Sequence, residues 1–192
     1  MAVPISELQK INPSSIIELF TLTLDSTIHG ATTVYRFHNG SSPNANGQVI
    51  WAGNSYLRYP VQCTGWEQNG KGAMPRPTLR ISNALGLITA IMLDTNQVTT
   101  GSDLCGSKLT RIRTLARYLD AANWSTGTNP FGTPSPSTEL PQQVFYLDRK
   151  SVENREIVEW ECASPFDLAY GPKAPKRLIT RVDFPGVGTF VG

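Results

Sequence analysis

The sequence predicts a mainly β domain with long loops and one or two short helices, and two observations carry that expectation. Glycine and proline are frequent, at 16 and 14 of 192 residues. They fall between short runs whose apolar residues recur with a period near two, the spacing of a strand with one buried face.

Residues 16–24, IIELFTLTL, place Phe20, Leu22 and Leu24 on one face and Leu19, Thr21 and Thr23 on the other. Residues 32–38, TTVYRFH, repeat the alternation with β-branched and aromatic side chains. The Asn-Gly pairs and proline of HNGSSPNANG then force a turn or long hairpin tip. QVIWAGNSYLRYPVQC reads as two short strands broken at Ala52, Gly53 and Asn54, and residues 78–82, TLRIS, as another that starts after Pro77. Residues 86–93, GLITAIML, are the local helix candidate. Period alone leaves residues 109–120, LTRIRTLARYLD, open between a helix and a strand that sets Arg111, Arg113 and Arg117 on one face.

Residues 123–141, NWSTGTNPFGTPSPSTELP, have no apolar period and form a long loop, of the kind that is functional or ordered only on assembly. A hairpin follows, with strands at residues 144–148 and 156–162 around the polar turn RKSVEN. Its second strand sets Val158, Trp160 and Cys162 on a dry face and Glu159 and Glu161 on a wet one. The organisation expected is an N-terminal arm over residues 1–15, one β domain over 16–170 and a C-terminal tail over 171–192.

Composition narrows the function. A net charge of +2 lacks the dense basic footprint of sequence-specific nucleic-acid binding. No stretch approaches the about 20 apolar residues of a membrane span, and the N-terminus does not read as a signal peptide. Cys63, Cys105 and Cys162 have neither the number nor the spacing of a disulfide framework or zinc site, so they are expected to be idle thiols.

Residues 64–83, TGWEQNGKGAMPRPTLRISN, have the look of a phosphate loop. Asn69, Gly70, Lys71 and Gly72 nevertheless lack the G-x-x-x-x-G-K-[ST] spacing and its strand-loop-helix context, and read instead as residues supplying positive φ to a tight turn. His29 and His38 are expected in exposed loops, away from any nucleophile. No His, Cys or Asp pair has metal-ligand spacing, and Glu156, Glu159 and Glu161 read as a solvated strand face. Arg111 and Arg113 suit a wet surface or a subunit contact. No catalytic residue, metal or cofactor is expected.

Three blocks in order change the resolution of this reading. The first is WAGNSYLRYPVQCTGWEQNGKGAMPRPTLRISNALGLITAI, with Trp51, Gly53, Tyr56, Tyr59, Pro60, Gly65, Glu67, Asn69, Gly70, Lys71, Gly72, Arg76 and Asn83 as its marked positions. The second is LDAAN at 119–123 and the third DRKSVENREIVEWECASPFDL. Together they resemble the phage minor tail protein L family, tail-tip proteins of lambda-like long-tailed phages.

The resemblance implies a β-barrel or sandwich similar to tail-tube and hub domains, with residues 109–120 as strand. It implies a structural role, as a ring between the distal tail protein and the central hub or receptor-binding protein, with three copies in contact and assembly in the host cytoplasm. The marked residues, with Arg111 and Arg113, become candidates for the assembly surface. Longer family members carry a cysteine-rich C-terminal domain holding an iron–sulfur cluster. This chain has no cysteine after Cys162, so a short form without the cluster is expected. The alternatives are a carbohydrate- or receptor-binding module, suggested by Trp51, Trp66, Trp124 and Trp160, and a tail-associated cell-wall hydrolase.

Overall fold

A computed structural model of the protein describes residues 2–67, 74–165, 167 and 186. Nine strands form one mixed sheet: β1 (Ile16–Thr23), β2 (Val34–His38), β3 (Val49–Trp51), β4 (Asn54–Arg58), β5 (Val61–Thr64), β6 (Thr78–Ser82), β7 (Lys108–Leu115), β8 (Gln143–Glu153) and β9 (Ile157–Ala163). Their order is β3-β4-β2-β1-β7-β8-β9-β6-β5. Every neighbouring pair is antiparallel except β2 with β4. Two single-turn helices, α1 (Ile5–Leu8) and α2 (Ser26–His29), and one of 12 residues, α3 (Leu87–Val98), accompany the sheet.

Residues 54–64 dictate the curvature. They supply β4 near one end of the strand order and β5 at the other, joined only by Tyr59 and Pro60. In a flat sheet those strands would lie about 34 Å apart. Three Cα steps from Arg58 to Val61 span at most about 11 Å. The sheet therefore curls until its two ends meet. The Tyr59 N–H donates to His38 O at 2.9 Å on one side, and the Ser82 N–H to Pro60 O at 3.0 Å on the other. The expected barrel is corrected in one respect: the ladders do not close among the described residues. Pro60 has no N–H to donate, and the strand changes partner there.

Curling encloses the main core. Phe20, Leu22 and Leu24 face inward with Phe37, Leu79, Ile81, Leu109, Phe145, Leu147, Val158, Trp160 and Cys162. Phe20 and Phe37, opposite each other in the β1–β2 register, stack with ring centroids 5.8 Å apart. Trp160 is fully buried and donates its indole N–H to Asp103 O at 2.9 Å. α3 packs against this core through Met92, Ile88 and Ile91. A second cluster, Leu19, Ile112, Val49, Trp51, Tyr56 and Leu119, lies on the opposite face of β1 and β7 under the β3–β4 hairpin.

Three expectations need adjustment. The segment around residues 49–64 carries three strands, since Pro60 makes a second break beyond Ala52 and Gly53. β8 runs to Glu153, so the turn is Asn154 to Glu156. Its carboxamide accepts from the Glu156 and Ile157 N–H groups, both at 2.8 Å, and the polar RKSVEN residues are mostly strand, wet because they are exposed. The 123–141 loop is laid down within the single chain: Leu140 N–H donates to Arg113 O at 2.8 Å and Thr114 Oγ1 to Thr138 O at 2.9 Å. The N-terminal arm docks on that loop, with Ala2 N–H donating to Ser137 O at 2.8 Å and Glu7 paired with Arg117.

Truncating Trp160 to alanine is expected to remove about 3–5 kcal/mol of stability, because the indole fills the enclosed core and satisfies Asp103; urea unfolding of purified protein measures it.

Candidate assembly surface

The LDAAN block proves to be a clasp on the β3–β4 hairpin. Ala52 and Gly53 both take positive φ, 52° and 73°, which two-residue hairpin turns require. The Asp120 carboxylate accepts from both their N–H groups, at 3.2 and 2.8 Å. The buried Asn123 carboxamide accepts from Ile50 N–H at 2.7 Å and donates to Ile50 O at 2.5 Å. A side chain thus imitates a neighbouring strand and seals the β3 edge. Trp51 and Tyr56 are buried beneath this clasp, so as candidates for a surface they are corrected: they support it from below.

Asn83 is also buried. Its carboxamide donates to Thr89 Oγ1 at 2.8 Å and to Asn154 O at 3.0 Å, tying the start of α3 to the β8–β9 turn. Tyr59 is half-buried, donates its hydroxyl to Ser82 O at 3.1 Å and borders an apolar cavity of about 270 Å³ with Leu57 and Ile88. These residues fix the frame.

Of the remaining marked residues, Gly65, Arg76 and Arg111 come together with Trp66 at one end of the curled sheet. The Arg111 guanidinium pairs with Glu18, donates to Gln143 Oε1 at 2.9 Å and lies 4.7 Å over the Trp66 ring. Trp66 meets Phe145 edge to face at 5.3 Å and donates to Cys63 O at 3.1 Å. Gly65 takes φ of 84°, and a Cβ there would meet Arg76 O and Pro77 Cα at 3.4 Å. Arg76 is exposed and gathers Asp148, Glu161 and Asp167, the last two at 3.3 Å, while Arg149 reaches Glu161 at 2.6 Å. The result is a continuous charged and aromatic rim, Glu18–Arg111–Trp66–Gly65–Arg76. Glu67 is exposed beside it. Asn69, Gly70, Lys71 and Gly72 lie outside the described residues. Arg113 sits behind the rim, where burial lowers its pKa and the charge of Arg111 lowers it further.

Both histidines correct their expected exposure. His29 accepts from Asp25 N–H at 3.1 Å and holds Cys105 O at 3.1 Å; His38 holds Gly47 O at 3.0 Å, and both are buried. Each anchors a loop carbonyl, and the local sequence, a glycine within two residues of each histidine, hid the burial. Burial pushes Cys63 and Cys105 upward and Cys162 up to about 12, and among the described residues no group of three His, Cys, Asp or Glu side chains is placed to hold a metal ion. Among the tryptophans, Trp51 and Trp160 are buried and Trp66 and Trp124 pack on the two cores, Trp124 edge to face with the exposed Phe131 at 6.2 Å.

The sequence profile of phage minor tail protein L matches residues 27–184. The chain belongs to that family. It is also 37% identical over 100 residues to the tail tip protein L of Escherichia phage lambda, an alignment covering 52% of this chain and 40% of the relative. As a minor tail protein L, the chain thus spans well under half of that relative. The 119–123 clasp and the 64–83 segment fall inside the profile match, and Glu18 of the rim precedes it.

Two outcomes follow. Asn123→Ala strands the Ile50 backbone groups and is expected to cost about 2–3 kcal/mol in urea unfolding. Burial lowers the His38 pKa below its ordinary 6.5, and the nearby Arg58 charge adds to this against the opposing Gly47 bond. The unfolded chain therefore binds the proton more readily, so this contribution is intact above pH 6.5 and is lost as pH falls through the folded value. Denaturation midpoints measured from pH 7.5 to 5 are expected to fall for the native protein and to fall less for His38→Gln.

Proposed function

We propose that the protein is a structural component of the phage tail tip, forming a ring between the distal tail protein and the central hub or receptor-binding protein. Three copies match the threefold symmetry of such a hub, and a closed ring ends a tube without further growth. It assembles from the host cytoplasm into the virion. The observation that carries this reading is the rim Glu18–Arg111–Trp66–Gly65–Arg76, where aromatic and arginine side chains of the kind that anchor protein interfaces are held in place by partners within the chain. Exposed apolar side chains point the same way: Ile5, Leu8 and Ile11 on the arm, and Leu85, Leu87 and Leu93 about α3, leave apolar surface for neighbours to cover. The role is structural rather than catalytic, since both histidines are committed to backbone carbonyls.

Quantitative mass spectrometry of gradient-purified particles is expected to give a few copies of this protein per particle against many of the tube subunit; absence from particles would overturn the reading. Trp66→Ala and Arg76→Ala together are expected to leave secondary structure intact by circular dichroism while lowering incorporation into tails at least about tenfold, the equivalent of about 1.4 kcal/mol.

A further inference from the structure

Two Asn-Gly pairs stand in the excursion between β2 and β3, Asn39-Gly40 at its start and Asn46-Gly47 near its end, and the fold treats them in opposite ways. An asparagine followed by glycine can lose ammonia, because the glycine amide nitrogen reaches the carboxamide carbon with no Cβ in the way. How readily it does so depends on how firmly that nitrogen is held.

Gly47 is held on both sides. Its N–H donates to Asn44 O at 3.0 Å, its carbonyl takes the His38 ring at 3.0 Å, and its φ of 73° lies in the left-handed region. Asn44 Oδ1 also accepts from Asn46 N–H at 3.1 Å, so Asn46 sits within a closed turn. Asn39 and Gly40 are exposed where the chain leaves β2. Among the described residues neither the N–H nor the carbonyl of Gly40 has a hydrogen-bond partner.

The same imidazole bears on both pairs. His38 is fully buried, and its Nε2 meets a carbonyl oxygen, which only accepts; Nε2 therefore carries the proton and Nδ1 keeps a bare lone pair. Burial lowers the His38 pKa, which keeps the ring neutral at neutral pH. Nδ1 is itself buried without a hydrogen-bond partner, and it lies 3.9 Å from where a Cβ on Gly40 would stand. A buried base thus stands beside the Asn-Gly pair whose glycine the turn leaves untied.

We propose that Asn39 is a site of self-modification, at which the Gly40 amide closes on the Asn39 carboxamide with His38 Nδ1 as general base. The Gly40 nitrogen bonds to Asn39 Cγ as Nδ1 takes its proton; the bond from Cγ to the carboxamide nitrogen then breaks, and that nitrogen leaves as ammonia with the proton returned by the ring. Water opens the resulting cyclic imide at either carbonyl, giving aspartate or isoaspartate. One water is consumed, one ammonia is released, and a negative charge appears where β2 leaves the sheet, next to the Tyr59 N–H to His38 O bond that begins the crossing to β5. The reaction needs no other tail protein.

Incubation of the purified full chain at neutral pH in heavy-oxygen water tests it, read by tandem mass spectrometry of the tryptic peptide, residues 37–58, that holds both sites. In the folded chain Asn39 is expected to convert at least about tenfold faster than Asn46, and faster than Asn39 does in guanidinium chloride, where the two sites convert at similar rates. The product is expected to carry heavy oxygen and to be rich in isoaspartate. Equal rates at the two sites of the folded chain, an Asn39 that folding slows, or the same preference for Asn39 in guanidinium chloride would each overturn the proposal. So would aspartate as the sole product, which means direct hydrolysis without the imide. His38→Gln keeps a donor for Gly47 O but offers no base, and is expected to slow Asn39 at least about tenfold in the folded chain with no change in guanidinium chloride. An unchanged rate in the folded variant would overturn the role of His38.

Discussion

The two-residue link of Tyr59 and Pro60 constrains the whole sheet. A chain that leaves one end of a strand order and reappears at the other after two residues cannot belong to a flat sheet, and the curl that results creates an inside. The inward residues of seven strands can then share a single core, which nine short strands in an open sheet could not enclose. Proline at the crossing is apt, because a residue without an N–H is best placed where the strand exchanges one partner for another.

Around that frame the protein repeatedly uses buried carboxamides where a larger domain would use more chain. Asn123 takes the place of a strand beside β3, Asn83 joins α3 to the β8–β9 turn, and Asn129 lies within 3.1 Å of the carbonyls of Ala116, Arg117 and Leu119. Each satisfies backbone groups that would otherwise be stranded, and each ties together segments distant in sequence. Asn83 and Asn123 fall in the blocks that carry the family resemblance, and two marked positions, Trp51 and Tyr56, are the packing that the Asn123 clasp covers.

Strands whose side chains have one wet and one dry face were legible from the sequence, as with Phe20, Leu22 and Leu24 or Val158, Trp160 and Cys162. Arg111 was harder. It lies in β7 among residues compatible with either period, and only the family resemblance decided for a strand. What stayed hidden depends on partners far away in the chain. His29 beside Gly30 has a loop's local sequence, yet the carbonyl it holds, Cys105, lies 76 positions along the chain. The rim was legible as a list of residues but not as a surface, since Trp66 and Arg111 are 45 positions apart and meet only because the sheet curls.

The 123–141 loop, pinned by Asn129, Thr114 and Arg113, changes how an encounter with a neighbour would proceed. A segment that had to fold on contact would charge its ordering entropy against affinity and slow the capture of a partner. Here that cost is met when the chain itself folds, so the loop offers a ready-made relief to whatever approaches it. Docking then selects on shape, and a poorly matched neighbour is rejected early rather than accommodated.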